Sequence, residues 1–237
     1  IIGYGKQKKS DLTGSVSSIS SEDINAVPVA RVDQALQGRA TGVQVSQVSG
    51  APGAGTVIRV RGGNSITGSN EPLWVIDGIV VGTNFNLNNI NANDIKSVEV
   101  LKDASSIAIY GSRGANGVVL VSTKSGKNIR PGKPEVSVNL YTSSQIVPET
   151  PHMLTQAEQI DFTNESSIFA GAAAPFPNDP STYPDNDFFD LIMNNAPIYN
   201  ADVSVAGASD NVSYYNSLNY FKQEGIVISS GIEKYIF

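Results

Sequence analysis

The run Ile95-Lys96-Ser97-Val98-Glu99-Val100-Leu101-Lys102-Asp103-Ala104-Ser105-Ser106 reads first as a strand and then as the start of a helix. Ile95 to Leu101 is rich in β-branched residues, and the segment from about Ala104 to Tyr110 is helix-like until Gly111 stops it. Val118 to Thr123 returns to a β-rich pattern. A short strand, a short helix and another short strand in this order predict a small domain that mixes both element types.

Working outward toward the N-terminus, Val43 to Val48, Thr56 to Arg61 and Leu73 to Ile76 carry the same β-branched signature between Gly, Pro and Asn. Val32, Ala35, Leu36 and Ala40 recur at helical spacing before Gly42. The expected domain covers roughly residues 12–126. Residues 1–11 lead into it, and 127–134, rich in turn residues and positive charge, read as a linker.

Beyond the linker the period becomes two. Val136-Ser137-Val138-Asn139-Leu140-Tyr141 and Tyr199-Asn200-Ala201-Asp202-Val203-Ser204-Val205 place apolar residues on one face and Ser, Asn and Asp on the other, and Val212 to Phe221 continues the pattern. Strands of an outer-membrane barrel alternate in this way, and so do half-buried strands of a soluble sandwich. Connection lengths favour the barrel. Some fifty residues, about 147–198, separate the first two segments, whereas a turn at about 208–211 joins the next two. Bacterial barrels have long outer loops and short periplasmic turns.

Composition narrows the chemistry. The 237 residues carry 16 Lys+Arg against 22 Asp+Glu, a net charge of −6, so the basic balance of a nucleic-acid binder is missing. No Cys is present, which removes disulfides, thiol nucleophiles and Cys-bound metals. His152 is the single histidine, sits between Pro151 and Met153, and reads as a loop residue. Charged residues make up 16% of the chain, below the roughly 25% of ordinary soluble domains, so uncharged polar groups must cover much of the surface. Apolar stretches are far shorter than the ~20 residues of a spanning helix. The chain starts at Ile1 with no charged-then-apolar leader, so any signal peptide is expected to have been removed or to lie outside this sequence.

Three further features invite enzyme-like readings. Gly50-Ala51-Pro52-Gly53-Ala54-Gly55 is glycine-rich like a phosphate loop, but it precedes a strand instead of opening a helix, so a turn is expected. Asp185, Asp187 and Asp190 could ligate Ca²⁺, yet the Gly and distal Glu of an EF-hand are missing, and an acidic loop is the plainer reading. Arg59, Arg61, Asp77, Glu99, Lys102, Asp103 and Arg113 lie within or beside apolar strands, where buried charges are retained mostly when paired. They are expected to form a structural salt-bridge network, with a mechanical, gating role as a separate hypothesis.

The opening Ile1-Ile2-Gly3-Tyr4-Gly5-Lys6-Gln7-Lys8-Lys9-Ser10-Asp11-Leu12-Thr13-Gly14-Ser15-Val16 is followed by Leu36-Gln37-Gly38-Arg39-Ala40-Thr41-Gly42-Val43, by Ile58-Arg59-Val60-Arg61-Gly62 and by Pro72-Leu73-Trp74-Val75-Ile76-Asp77-Gly78. With the run from Ile95, and Tyr110-Gly111-Ser112-Arg113-Gly114-Ala115-Asn116-Gly117-Val118, this order resembles the SusC/RagA-like TonB-dependent outer-membrane transporters. Tyr183 to Asp190 and Tyr220 to Ile226 are similar to that family's first barrel segments.

The resemblance implies an α+β plug, a small mixed sheet with short helices, over 12–126, and the first three to four antiparallel strands of a 22-stranded transmembrane β-barrel over 135–237. It implies a multi-pass protein of the bacterial outer membrane with a periplasmic N-terminus, without catalysis or cofactor. Ile1, Ile2, Gly3, Tyr4 and Gly5 would be the end of the TonB box. A SusD-like surface lipoprotein, a glycan or peptide ligand and outer-membrane lipid would be the other partners. The loops holding Asn64, Ser65 and Asn70 and holding Asn84, Phe85 and Asn86 would reach the ligand, with Phe85 as a stacking platform; plain solvated loops fit the same residues. Two other functions stay open, a TonB-linked receptor that signals or docks a partner, and a soluble β-rich binding module.

Overall fold

In the computed structural model the residues described are 16–25, 33, 36–60, 62, 69–83, 85, 89–147, 153–183 and 187–237. Five strands, β1 (Val16–Ser20), β4 (Leu73–Ile76), β5 (Ile79–Gly82), β6 (Ile95–Leu101) and β7 (Val118–Thr123), form one sheet in the order β1-β6-β7-β4-β5. The sheet is mixed, because β4 runs parallel to β7 while the other pairings are antiparallel. A hairpin of β2 (Val43–Gln47) and β3 (Thr56–Val60) stands beside it. Helix α1 (Ser21–Asn25) follows β1, and α2 (Ala104–Ile107) lies between β6 and β7.

Both faces of the central strands are covered. Ile95, Val98, Val100, Val119 and Val121 pack with Ile19, Ile24, Leu36, Ile58, Val60 and Trp74 in one core, while Leu73, Val75, Leu101, Val118 and Leu120 form a second with Ile107 and Tyr110. Covering on both sides explains the nearly unbroken apolar run Val118-Val119-Leu120-Val121. Each such side chain contributes roughly 1.5–3 kcal/mol on burial.

The expected strands in this domain appear within a residue of their expected limits, and the helix after Asp103 is interrupted at Gly111, whose φ is 60°. Asp33 and Leu36 are helical and Gly42 has φ 75°; Val32 and Ala35 lie outside the described residues. Strands β1 and β5 and helix α1 were not legible in advance. β1 is a polar edge strand in which Ile19 alone is buried among its described side chains. The glycine-rich segment is the β2–β3 turn, with Ala54 N–H donating to the Ala51 carbonyl at 3.0 Å.

The second half is an antiparallel meander of β8 (Glu135–Gln145), β9 (Ala196–Ala208), β10 (Ser213–Glu224) and β11 (Gly231–Ile236). The β8–β9 connection carries two helices, α3 (Gln156–Phe169) and α4 (Phe188–Ile192). A capping box starts α3, with Thr155 Oγ1 accepting from Glu158 N–H and the Glu158 carboxylate accepting from Thr155 N–H at 2.8 Å. That Thr-Gln-Ala-Glu signature was readable in the sequence. The β9–β10 turn is tight, closed by Ser209 N–H to the Val212 carbonyl at 2.7 Å. No helix among the described residues is long and apolar enough to cross a membrane, which says nothing of strands.

Candidate functional site

Burial in the meander is inverted relative to a soluble sheet. Along β9 the buried side chains include Asn200, Asp202 and Ser204, while Tyr199 and Val203 are exposed. Register carries this pattern across the sheet. Asn139, Asp202 and Asn219 share one row of the inner face, and Val138, Val203 and Leu218 share one row of the outer face. Val136, Val138, Leu140, Val203 and Leu218 are all exposed on that outer face. Tyr220 and Tyr235 lie together on it at 5.1 Å between ring centroids, and Tyr214 stands nearer the β9–β10 turn. An apolar band with aromatic residues toward its ends is what a lipid-facing barrel surface requires.

The polar face meets the first domain. The 3-10 turn Ala92–Asp94 begins at Asn91, whose Oδ1 caps Asn93 N–H at 3.1 Å and whose Nδ2 donates to Asp202 Oδ2 at 2.6 Å. Tyr215 Oη donates to Asp94 Oδ1 at 2.8 Å, and Ser217 Oγ donates to Asp94 Oδ2 at 2.7 Å. Nearby, Gly126 lies so close to the backbone of Gly207 and Tyr214 that a Cβ there would overlap their carbonyl oxygens. At the other end of the sheet the β2–β3 turn rests on the start of β11, where a Cβ on Gly53 would overlap Ile232 Cδ1. The first domain therefore stands against the inner, polar face of the wall.

Residues 8–118 match the family described as TonB-dependent Receptor Plug Domain. The chain is 36% identical to TonB-dependent receptor SusC of Bacteroides thetaiotaomicron over 99% of its own length, and its structure matches that of the RagAB peptide importer in the open-open state with a TM-score of 0.84. The chain belongs to the SusC/RagA-like TonB-dependent receptors. Within this family it is also 78% identical to TonB-dependent receptor P26 of Formosa agariphila, over all of its residues. The RagAB likeness has 32% sequence identity and covers 99% of the chain and 29% of that protein's chain. The chain spans about a quarter of the length of the curated relatives it matches, 24% of P26 and 23% of SusC. TonB-dependent receptors of this family are outer-membrane β-barrel proteins, transporters and receptors and not enzymes. The mixed sheet is thus the plug, and the meander is barrel wall.

The expected site residues are placed as follows. Ile1, Ile2, Gly3, Tyr4, Gly5, Arg61, Asn64, Ser65, Asn84, Asn86, His152 and Asp185 lie outside the described residues. Arg59 and Arg113 are exposed and Glu99 is half-buried; among the described residues these three form no ion pair with one another. Lys102 is buried and donates to the Thr41 carbonyl at 2.5 Å. Asp103 precedes α2, where its carbonyl accepts from Ser106 Oγ at 2.8 Å.

Asp77 is a turn residue with φ 48°, and its carboxylate accepts from Thr123 N–H at 2.9 Å and from Thr123 Oγ1 at 2.7 Å. Asn70 is half-buried, and Phe85 packs against the first core. Asp187 caps α4, its Oδ1 accepting from Phe189 N–H at 2.8 Å, while Asp190 is exposed in that helix. Asn91, Asp94, Asp202, Tyr215 and Ser217, which join plug to wall, were not singled out in the sequence. Their signal was the polar face of β9 and β10 and the Asn-Ala-Asn-Asp turn.

Proposed function

We propose that the whole protein imports a glycan or peptide nutrient across the outer membrane, with this plug gating its barrel and TonB supplying the energy. The carrying observation is the wall itself, whose polar face is turned toward the plug while its apolar face is left exposed. The wall side chains that contact the plug are hydrogen-bonding groups, which suit a water-lined lumen once the plug moves aside. The RagAB relative is described as a peptide importer, which supports an oligomeric nutrient. Ile1 and Ile2 suit a segment that adds as a strand to the sheet edge of TonB. A SusD-like surface lipoprotein would close the outer mouth. The same exposed apolar band speaks against a soluble binding module.

The test is uptake of fluorescein-labelled oligosaccharide and peptide pools by cells that express the full-length protein. Uptake of one pool should disappear without the gene, without TonB, and when Ile1 to Gly5 are deleted. Uptake that persists at full rate without TonB would overturn the proposal.

A further inference from the structure

Among the described residues the plug approaches the wall toward both ends of the β9–β10 hairpin. Toward the turn end of the β9–β10 hairpin, Asp94 receives a hydrogen bond on each carboxylate oxygen, from Tyr215 and Ser217, and Asp202, mid-strand in β9, receives one from Asn91. Asp202 is 1% exposed and Asn91 6%, so the bond between them is shielded from water. The same corner is tied down through the backbone. Lys124 N–H donates to the Asp94 carbonyl at 2.8 Å, Ile95 pairs with Thr123, and Gly132 N–H donates to the Ala208 carbonyl at 3.0 Å. At the far end of the wall the Pro52–Gly53 turn lies against Gly225 and Ile232, so close that a Cβ on Gly225 would stand 3.1 Å from Pro52 Cγ. β1, nearest the N-terminus, pairs with β6 at the sheet edge.

We propose that the corner formed by Asn91–Asp94 and Lys124–Gly126 is a fixed pivot, pinned to the β9–β10 hairpin, about which the rest of the plug is displaced. The displacement rests on the import reading, whereas the pinning does not. Three side-chain hydrogen bonds to carboxyl groups and the covalent path into β8 hold one corner, so opening begins at β1 and the β2–β3 hairpin and reaches the corner last. A conduit made in this way opens along the plug flank away from β9 and β10.

Hydrogen exchange of the full-length protein in lipid nanodiscs, followed through a urea series, tests the pivot. Protection of the Asn93, Asp94 and Lys124 amides should outlast that of the Val48 amide, which bonds the Gly55 carbonyl within the β2–β3 hairpin. Tyr215→Phe combined with Ser217→Ala should lower corner protection at least about tenfold, the loss of two bonds to a carboxylate, while leaving Val98 and Val119 within about twofold. Asp94→Ala removes the same bonds from the plug side without altering a barrel strand, and should give the same loss. Heat-modifiable gel mobility verifies that each barrel is folded. Corner amides that exchange with or before Val48, or that keep their protection in both variants, would overturn the pivot. Such a result would leave the import reading standing, which the uptake test decides separately.

Discussion

The Asp77 carboxylate clasps Thr123 twice, through the backbone N–H at 2.9 Å and the side-chain hydroxyl at 2.7 Å. Asp77 and Gly78 both have positive φ, 48° and 87°, which fits the tight turn between β4 and β5. Asp77→Ala removes the clasp and puts an unsuited residue at a left-handed position, so local stability should fall by roughly 1–3 kcal/mol. Asp77→Asn keeps an acceptor and tolerates the turn, and should lose less. The Thr123 amide exchange rate in the full-length protein measures both.

Gly117 has φ 93°, and a Cβ there would stand 2.9 Å from Val60. Gly117→Ala therefore combines backbone strain with overpacking where β3 meets the start of β7. A loss of about 1–3 kcal/mol is expected, seen as earlier urea-dependent exchange of the Leu73 amide, which bonds the Gly117 carbonyl at 3.0 Å. Unchanged exchange would show that β3 is not held against β7 as described.

Val203 lies mid-strand on the outer face, beside Val138 and Leu218. An Arg there should cost about 2–4 kcal/mol if that face meets lipid near the bilayer midplane. Val203→Arg in the full-length protein should reduce the heat-modifiable folded fraction. An equal folded fraction would contradict the lipid-facing assignment.

Two carboxylates predict pH effects of opposite sign. Hydrogen bonds from Ser20 hold Asp23 below its ordinary value of 3.8. Its folded state binds the proton more weakly, so its contribution is complete at neutral pH and is lost as pH falls below about 3.8. Burial pushes Glu71 above 4.5, so its folded state binds the proton more tightly and stability declines as pH rises through and above that value. Asp23→Asn should flatten the acid loss of protection at Ile24, and Glu71→Gln should raise stability at neutral pH. Exchange protection between pH 3 and 7 checks both.

The plug's strands were legible because β6 and β7 are covered on both faces, which forces dense β-branched runs such as Val98 to Leu101 and Val118 to Val121. β1 was hidden because Ser17, Ser18 and Ser20 leave an edge strand without an apolar pattern. Helix α3 was hidden because its apolar residues make no stripe, Phe162 and Phe169 being exposed while Ile160 is buried, although its capping box was present.

Sequence alone determined the strand alternation in the wall, the order β2, β3, β4, β6, α2, β7 in the plug and the lack of any thiol in these 237 residues, since these depend on residue type and spacing. It left the alternation ambiguous, because period two is the same whichever face is buried. Tertiary structure decided that the face with Asn200, Asp202 and Ser204 is the buried one. It also brought Asn91 to Asp202 and Asp94 to Ser217 across more than a hundred positions, a pairing set by how plug and wall pack and by no local pattern.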